Sequence, residues 1–287
     1  MSIAALSSMV KFEHSLFALP FAASAVVLVV RDARLDAVRL LLITLAVVAA
    51  RTAAMAMNRI ADRAFDAKNS RTQARELVTG AVSVPAAWAL LLGSAAAFLV
   101  VALTFGPLCG ALALPVLGVL LGYSYAKRFT WAVHLWLGVA QALGPIGVAI
   151  ALTGRAPAAA VVLGLGVGAW VAGFDVLYSL QDMDFDRGAR LHSIPARFGV
   201  AGALLWARLL HVAATVAIAA AGLMAGRGAG WMAGSVLLMT VLGAEHLYAA
   251  PRGQVRKDRI GAAFFNFNAF ASVAFAACAL ADLALRV

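Results

Sequence analysis

The apolar positions of this chain come in long, uninterrupted runs. Nine can be read, at about Ser15–Val30, Val38–Met57, Val84–Thr104, Pro107–Ala126, Val133–Leu152, Ala158–Leu180, Val200–Leu223, Gly230–Ala249 and Gly261–Leu285. A helix needs roughly 17–25 apolar residues to cross the hydrocarbon core of a bilayer. In lipid, helices satisfy their own backbone polar groups, which open sheets cannot do. The pattern predicts an all-α, polytopic membrane protein, with about nine transmembrane helices in one bundle and helical caps on its cytoplasmic side. The longest loop is about Asn58–Ser83, too short for a soluble domain, so 1–287 is read as a single transmembrane domain.

Composition agrees. The chain is 64% hydrophobic and 13% charged, with a mean hydropathy of +0.93. Soluble domains are about 45–50% apolar and about 25% charged. The two cysteines, Cys109 and Cys278, lie inside apolar runs without a CxxC, and read as small buried hydrophobes. The first residues lack the basic start and small-residue cleavage site of a secretory signal. The first span is expected to act as its own insertion signal.

The net charge of +10 has a topological explanation. Fifteen basic residues fall on one set of loops: Lys11; Arg59, Arg63, Lys68, Arg71 and Arg75; Lys127 and Arg128; Arg187, Arg190 and Arg197; Arg252, Arg256, Lys257 and Arg259. Six fall on the other set, Arg31, Arg34, Arg39, Arg155, Arg227 and Arg286, while Arg51 and Arg208 stay within spans. The positive-inside rule puts the larger set, and the N-terminus, in the cytoplasm of a multi-pass protein of the inner (plasma) membrane. No aromatic-interleaved basic patch suggests nucleic acid as a partner.

Topology does not explain the acids. Of 13, seven are Asp62, Asp66, Glu76, Asp175, Asp182, Asp184 and Asp186, all in or beside the loops after spans two and six. Asn58, Asp62 and Asp66 recur every four residues, so a continuing helix would stack them in one stripe, about 6 Å apart. Asp175, Tyr178, Asp182 and Asp186 are spaced three, four and four, and are expected on one helical face in the same way. Stacked carboxylates repel one another; a hard divalent cation relieves the repulsion, and magnesium takes one or two carboxylates together with phosphate oxygens. Asp175 lies just inside the membrane, where a carboxylate is costly and functional by default. The EF-hand spacing and its glycine are absent.

Basic residues follow the acids closely: Arg63, Lys68, Arg71, Arg75, Lys127, Arg128, Arg187 and Arg197. Carboxylates, Mg²⁺ and Lys/Arg together suit an oxygen-rich anion such as diphosphate. Arg51, seven residues before Asn58, falls on the same helical face two turns deeper. It is expected to face the interior and to meet either Asp175 or an anionic substrate. His134 reads as an interfacial residue beside Trp131 and Trp136, His211 and His246 as packing or helix-end residues, and Asn266 and Asn268 as interhelical hydrogen-bonding groups.

These residues resemble the UbiA-type intramembrane aromatic prenyltransferase family. Asn58–Asp66 is similar to its first aspartate-rich motif, and Asp175–Asp186 to its second, D-x-x-Y-x-x-x-D-x-x-x-D. The stretch from Tyr123 through Lys127 and Arg128 to Thr130 looks like the family's loop before the fifth helix, and His192–Gly199 like the segment after the second motif. Lys11–Phe21, with His14 and Pro20, and Arg71–Leu77 are more similar to the quinone-pathway branch, that of 4-hydroxybenzoate polyprenyltransferases. The chain departs from the family at Arg59, where many members have a second carboxylate, so metal binding is expected mainly from Asp62, Asp66, Asp182 and Asp186.

The resemblance implies an Mg²⁺-dependent transfer of a polyprenyl chain from its diphosphate to an aromatic acid acceptor, with membrane lipid around the prenyl tail. Asn58, Asp62, Asp66, Asp182 and Asp186 are its implied metal ligands. Asn58, Arg63, Arg71, Lys127 and Arg128 are the implied diphosphate ligands, and Asp175, Tyr178 and Arg51 the catalytic residues. Acceptor-side candidates are His14, Arg51, His134 and Asn268. A dihydroxynaphthoate acceptor, on a futalosine-type menaquinone route, is an alternative. So are other lipid-linked transferases acting on haem, chlorophyll or a glycerol phosphate. A transporter of a divalent cation or organic anion belongs to a different class, but its midplane charges are not evident here.

Overall fold

The computed structural model describes residues 3–11, 18–33 and 35–285. His14 and most of the Lys11–Phe21 stretch lie outside them. All regular structure among the described residues is helical: α1 (Ile3–Met9), α2 (Ala18–Val29), α3 (Ala37–Asp66), α4 (Glu76–Thr79), α5 (Val84–Thr104), α6 (Pro107–Ala126), α7 (Val133–Thr153), α8 (Ala158–Ser179), α9 (Met183–Gly188), α10 (Ile194–Met224), α11 (Ala229–Ala249), α12 (Lys257–Ala262) and α13 (Asn268–Ala284). A π-helical turn, Ala263–Phe267, joins the last two. Among the described residues, eight helical segments are long and apolar enough to span a membrane; the ninth expected span coincides with the shorter α2.

The boundaries follow local chemistry. Asp36 caps α3 by accepting from the Arg39 amide at 2.8 Å, and Ser83 and Ser193 cap α5 and α10, each followed by a proline in the first turn. Such caps satisfy amides that have no partner within the helix. Gly154 ends α7 in the left-handed region, at φ 73°, where a side chain would be strained. Gly199, at φ 68°, breaks α10 after its first turn; the expected span, Val200–Leu223, began just beyond it.

The described residues form two compact units. One lies within Met1–Leu19 and Leu35–Tyr125, the other within Pro20–Arg34 and Ala126–Val287. In the first, α3 packs on α5, and α1 and α4 cover one end of them. Met9, Val10, Ala56, Leu77, Val82, Ala87 and Leu91 form its core there.

In the second unit α8 is the central helix, packed by α7 on one side and α10 on another. Small residues make this possible. A Cβ on Gly138 of α7 would sit 2.7 Å from the Gly168 carbonyl oxygen, and one on Gly168 would sit 2.4 Å from that of Gly138. Membrane helices lack a hydrophobic drive to associate and rely on such close backbone approach. Large apolar side chains point outward instead, among them Leu41, Leu103, Leu114, Val216, Val236 and Leu247. Lipid solvates them, so their exposure carries no penalty.

Candidate active site

The first acidic segment is the end of one continuous helix. α3 runs 30 residues without a break, so Asn58, Asp62 and Asp66 share a face, as their spacing required. Asn58 Nδ2 donates to Asp62 Oδ2 at 2.9 Å. Asp66 is 6% exposed and takes both oxygens to Arg75 Nη1, at 2.8 Å each. Thr72 Oγ1 donates to the Asp66 carbonyl at 3.2 Å, folding the loop back over the helix end.

Three other arginines of this unit, Arg51, Arg59 and Arg63, hydrogen-bond to backbone carbonyls. Arg63 Nε donates to the Leu77 carbonyl at 3.1 Å and fixes α4 to α3. The Arg71 amide donates to Asn69 Oδ1 at 3.0 Å, and its side chain is exposed. Arg59 is 6% exposed and donates through Nε to the Met9 carbonyl at 3.0 Å. Arg51 Nη1 donates to the carbonyls of Val10 and Lys11, at 3.3 and 3.2 Å. Two arginines of α3 thus bind carbonyls at the C-terminal end of α1, which a helix leaves without partners of its own. Arg59 stands where a family carboxylate was expected, and its guanidinium is taken up by α1.

The second acidic segment departs from the sequence reading. The expected single face from Asp175 to Asp186 requires one helix, but α8 ends at Ser179 and α9 begins at Met183. Between them the amides of Leu180, Gln181 and Asp182 bond to Leu177, Tyr178 and Ser179, three residues back. This tighter winding advances about 120° per residue instead of about 100°. Over three residues the register slips by roughly 60°. Asp175 and Tyr178 therefore lie on α8, Asp182 in the turn and Asp186 on α9, with no single continuous helix to align all four.

Asp186 is 1% exposed, and Lys127 Nζ approaches its two oxygens at 3.3 and 3.1 Å. The Lys127 carbonyl accepts from the His192 amide at 2.7 Å, so the short loop before α7 is held against the segment after the motif. Arg128 is exposed, and Asp182 is 8% exposed at the start of α9. Asp184 is solvent-exposed and bonded to Lys257 at 2.9 Å. The hydrogen bond and charge of Lys257 hold its carboxyl below the usual carboxylate range. Tyr178 packs on Phe264 at 4.5 Å between ring centroids, and Phe174 meets the same ring edge-on at 5.0 Å.

Asp175 has a partner within its own unit. Its Oδ2 lies 2.7 Å from Nδ1 of His134 in the first turn of α7. His134 is 1% exposed, which corrects the reading of it as interfacial. Sequence also missed Glu245, a 1% exposed carboxylate that accepts from Asn268 at 2.8 Å, while Asn268 accepts from Trp170 Nε1 at 2.7 Å. The signal was available as a lone carboxylate inside an apolar run. His211 and His246 are packing residues, as expected, bonded to each other at 3.1 Å.

No three acidic, histidine or cysteine side chains gather as a preformed metal cluster among the described residues. The donors nonetheless suit a hard cation. Every side chain of Asn58, Asp62, Asp66, Asp182 and Asp186 offers oxygen, the donor type magnesium prefers. The two most buried carboxylates of this set, Asp66 and Asp186, are paired with Arg75 and Lys127.

A sequence model of the UbiA prenyltransferase family matches residues 18–280. A 4-hydroxybenzoate octaprenyltransferase of Aromatoleum aromaticum is 34% identical over 242 residues, covering 83% of this chain and 80% of that protein. One from Nitrosomonas europaea is 32% identical, covering 88% and 85%. The apo structure of a UbiA homolog from Aeropyrum pernix K1 superposes with a TM-score of 0.81 at 33% identity, over 94% of this chain and 98% of that one. A UbiA homolog from Archaeoglobus fulgidus, solved with GPP and Mg²⁺, shares the fold, with a TM-score of 0.71 at 20% identity over 98% and 99%.

Proposed function

Because the chain belongs to the UbiA prenyltransferase family, we propose that it is the polyprenyltransferase of a ubiquinone or menaquinone pathway, moving a polyprenyl chain from its diphosphate to a 4-hydroxybenzoate-like aromatic acid with Mg²⁺ as cofactor. The transporter reading falls with that membership. The names of the Aromatoleum and Nitrosomonas relatives support the acceptor class. The observation that carries the reading is the pair of buried carboxylates, Asp66 and Asp186, at the ends of two acidic segments, each paired with a side-chain cation. Burying such charges without a ligand to bind is costly.

Asn58, Asp62 and Asp66 of the first segment would serve as Mg²⁺ ligands, as would Asp182 and Asp186 of the second, and the metal would supply positive charge against the charge that develops on the diphosphate as the allylic C–O bond breaks. Arg63, Arg71, Lys127 and Arg128, with the Asn58 amide, attend the phosphate oxygens. The C–O electron pair leaves with the diphosphate, and an electron-rich ring carbon bonds to the allylic carbon. A ring proton then departs, with Asp175 as its acceptor. Tyr178 donates to a phosphate oxygen. Arg51, bonded to the end of α1, acts by holding that helix. Water must be kept from the allylic cation, which the surrounding apolar helices favour. The whole chain works as one catalytic domain, with its N-terminus and acidic loops in the cytoplasm, on the charge asymmetry of the loops.

The test is the mass of the product formed by the purified protein from a mixture of aromatic acceptors and polyprenyl diphosphates. Prenylated 4-hydroxybenzoate is the expected product. A prenylated dihydroxynaphthoate in its place would move the protein to the alternative route, and no prenylated aromatic at all would refute the reading.

A further inference from the structure

The His134–Asp175 pair lies where α7 meets α8, and that seam does not need it. Gly138, Gly164 and Gly168 already bring the two backbones into contact, since a Cβ on any of them would meet a carbonyl oxygen of the other helix at 2.4–2.7 Å. A buried ionisable pair adds desolvation cost to a seam that packs by itself. Its geometry is specific in three respects. His134 is 1% exposed, whereas the Asp175 side chain is 18% exposed, so the histidine stands behind the carboxylate. His134 Nδ1 takes only Oδ2, at 2.7 Å. Ser179 Oγ, which donates to the Val176 carbonyl at 2.9 Å, packs on the far side of the ring, 3.4 Å from Nε2. Among the described residues, His134 is the one hydrogen-bond partner of the Asp175 carboxylate, which leaves Oδ1 for a ligand.

A base whose outer face is open and whose inner face is fixed by a second group is the usual arrangement for proton abstraction. We infer that His134 is a positioning residue for proton removal, holding Asp175 so that Oδ1 takes the proton from the ring carbon of the aromatic acceptor. In this step the new C–C bond is already formed. The ring C–H bond breaks, its electron pair restores the aromatic ring, and the proton passes to Asp175 Oδ1 while the Nδ1–H to Oδ2 bond stays in place. The inference rests on the prenyltransferase reading above and adds a residue and an order of events to it.

The test uses the full-length protein in detergent with Mg²⁺, geranyl diphosphate, and 4-hydroxybenzoate either unlabelled or deuterated at the two ring positions beside the hydroxyl. His134→Leu removes the donor, while His134→Asn keeps an N–H close to the Nδ1 position. With the leucine variant, kcat is expected to fall about 10- to 100-fold, a part of what a general base supplies, with KM for geranyl diphosphate within about twofold of wild type. The deuterium effect on kcat should rise from near unity to about 2, as proton loss becomes limiting. The asparagine variant should recover to within about fivefold of wild type. A leucine variant with unchanged kcat and no isotope effect would overturn the inference while wild-type activity keeps the prenyltransferase reading intact. If the leucine variant does not fold, the asparagine variant decides: near-wild-type turnover supports the role of the Nδ1 donor, and a loss without an isotope effect contradicts it. Absence of product from the wild-type protein with every acceptor would instead refute the reading beneath.

Discussion

Asn58, Asp62 and Asp66 ride one unbroken helix, whereas Asp175, Tyr178, Asp182 and Asp186 are divided between α8, a tight turn and α9. The two segments carry the same four-residue spacing and reach different ends with it. In the first, the stripe survives, and its neighbours Arg51 and Arg59 are drawn away to hold α1. In the second, the break separates two tasks. Asp175 stays within the span and faces a histidine, while Asp186 sits beyond the break, buried against Lys127. A shared spacing therefore gives each segment a row of oxygens, and the local winding decides which of them can act together.

The largest effect should come from removing the ligands themselves. Asp62→Ala and Asp186→Ala are each expected to lower kcat/KM for geranyl diphosphate by about 100-fold or more, about 2.7 kcal/mol in transition-state terms. If one segment proved dispensable, with a loss under about tenfold, the equivalence of the two would be broken.

Arg59→Asp would restore the carboxylate many family members carry. On sequence grounds that should strengthen metal binding. In this structure it removes the bond to the Met9 carbonyl and buries an anion near Asp62, Asp66 and Glu76. A loss of about 2–4 kcal/mol in thermal stability, with no gain in Mg²⁺ affinity by calorimetry, is the expected result. Tighter Mg²⁺ binding would show that Arg59 masks a ligand position.

Arg75→Met leaves Asp66 without its cation. The Arg75 side chain is 23% exposed, so screening limits the cost to about 1–2 kcal/mol. Mg²⁺ should reverse it in thermal melts, because the metal takes over the same carboxylate. A melt insensitive to Mg²⁺ would argue that Asp66 serves the fold alone.

The smallest effect belongs to Lys257→Met. Asp184 is exposed, and its carboxyl is held down by Lys257. A depressed carboxylate lends its stability above its unfolded value and loses it as pH falls through the folded one. Variant and wild-type melts should thus differ slightly at neutral pH and converge below about pH 4. Turnover should stay within about twofold, and a larger fall would draw α9 and α12 into the site.

Much of the fold was legible because apolar run length is nearly sufficient to place a membrane helix. Val84–Thr104 and Pro107–Ala126 were read to the residue. What sequence could not give were features set by contacts from elsewhere in the chain. The i→i+3 turn at Leu180–Asp182 has no proline or glycine to announce it. The partner of Asp175 lies 41 residues away in sequence, and nothing local in Trp131–Trp136 separates a buried histidine from an interfacial one. Arg51 fell on the expected face of α3, but its bonding partner was the end of a helix that periodicity had not marked. Glu245 was overlooked because its neighbours carry no motif, although its burial in a span was itself the signal.

The most direct test of the central claim is prenyl transfer to 4-hydroxybenzoate by the purified protein with Mg²⁺ present and after chelation by EDTA. The account expects a product heavier than the acceptor by one prenyl unit with Mg²⁺, none after EDTA, and full recovery when Mg²⁺ is restored. Product that persists undiminished in EDTA would contradict it.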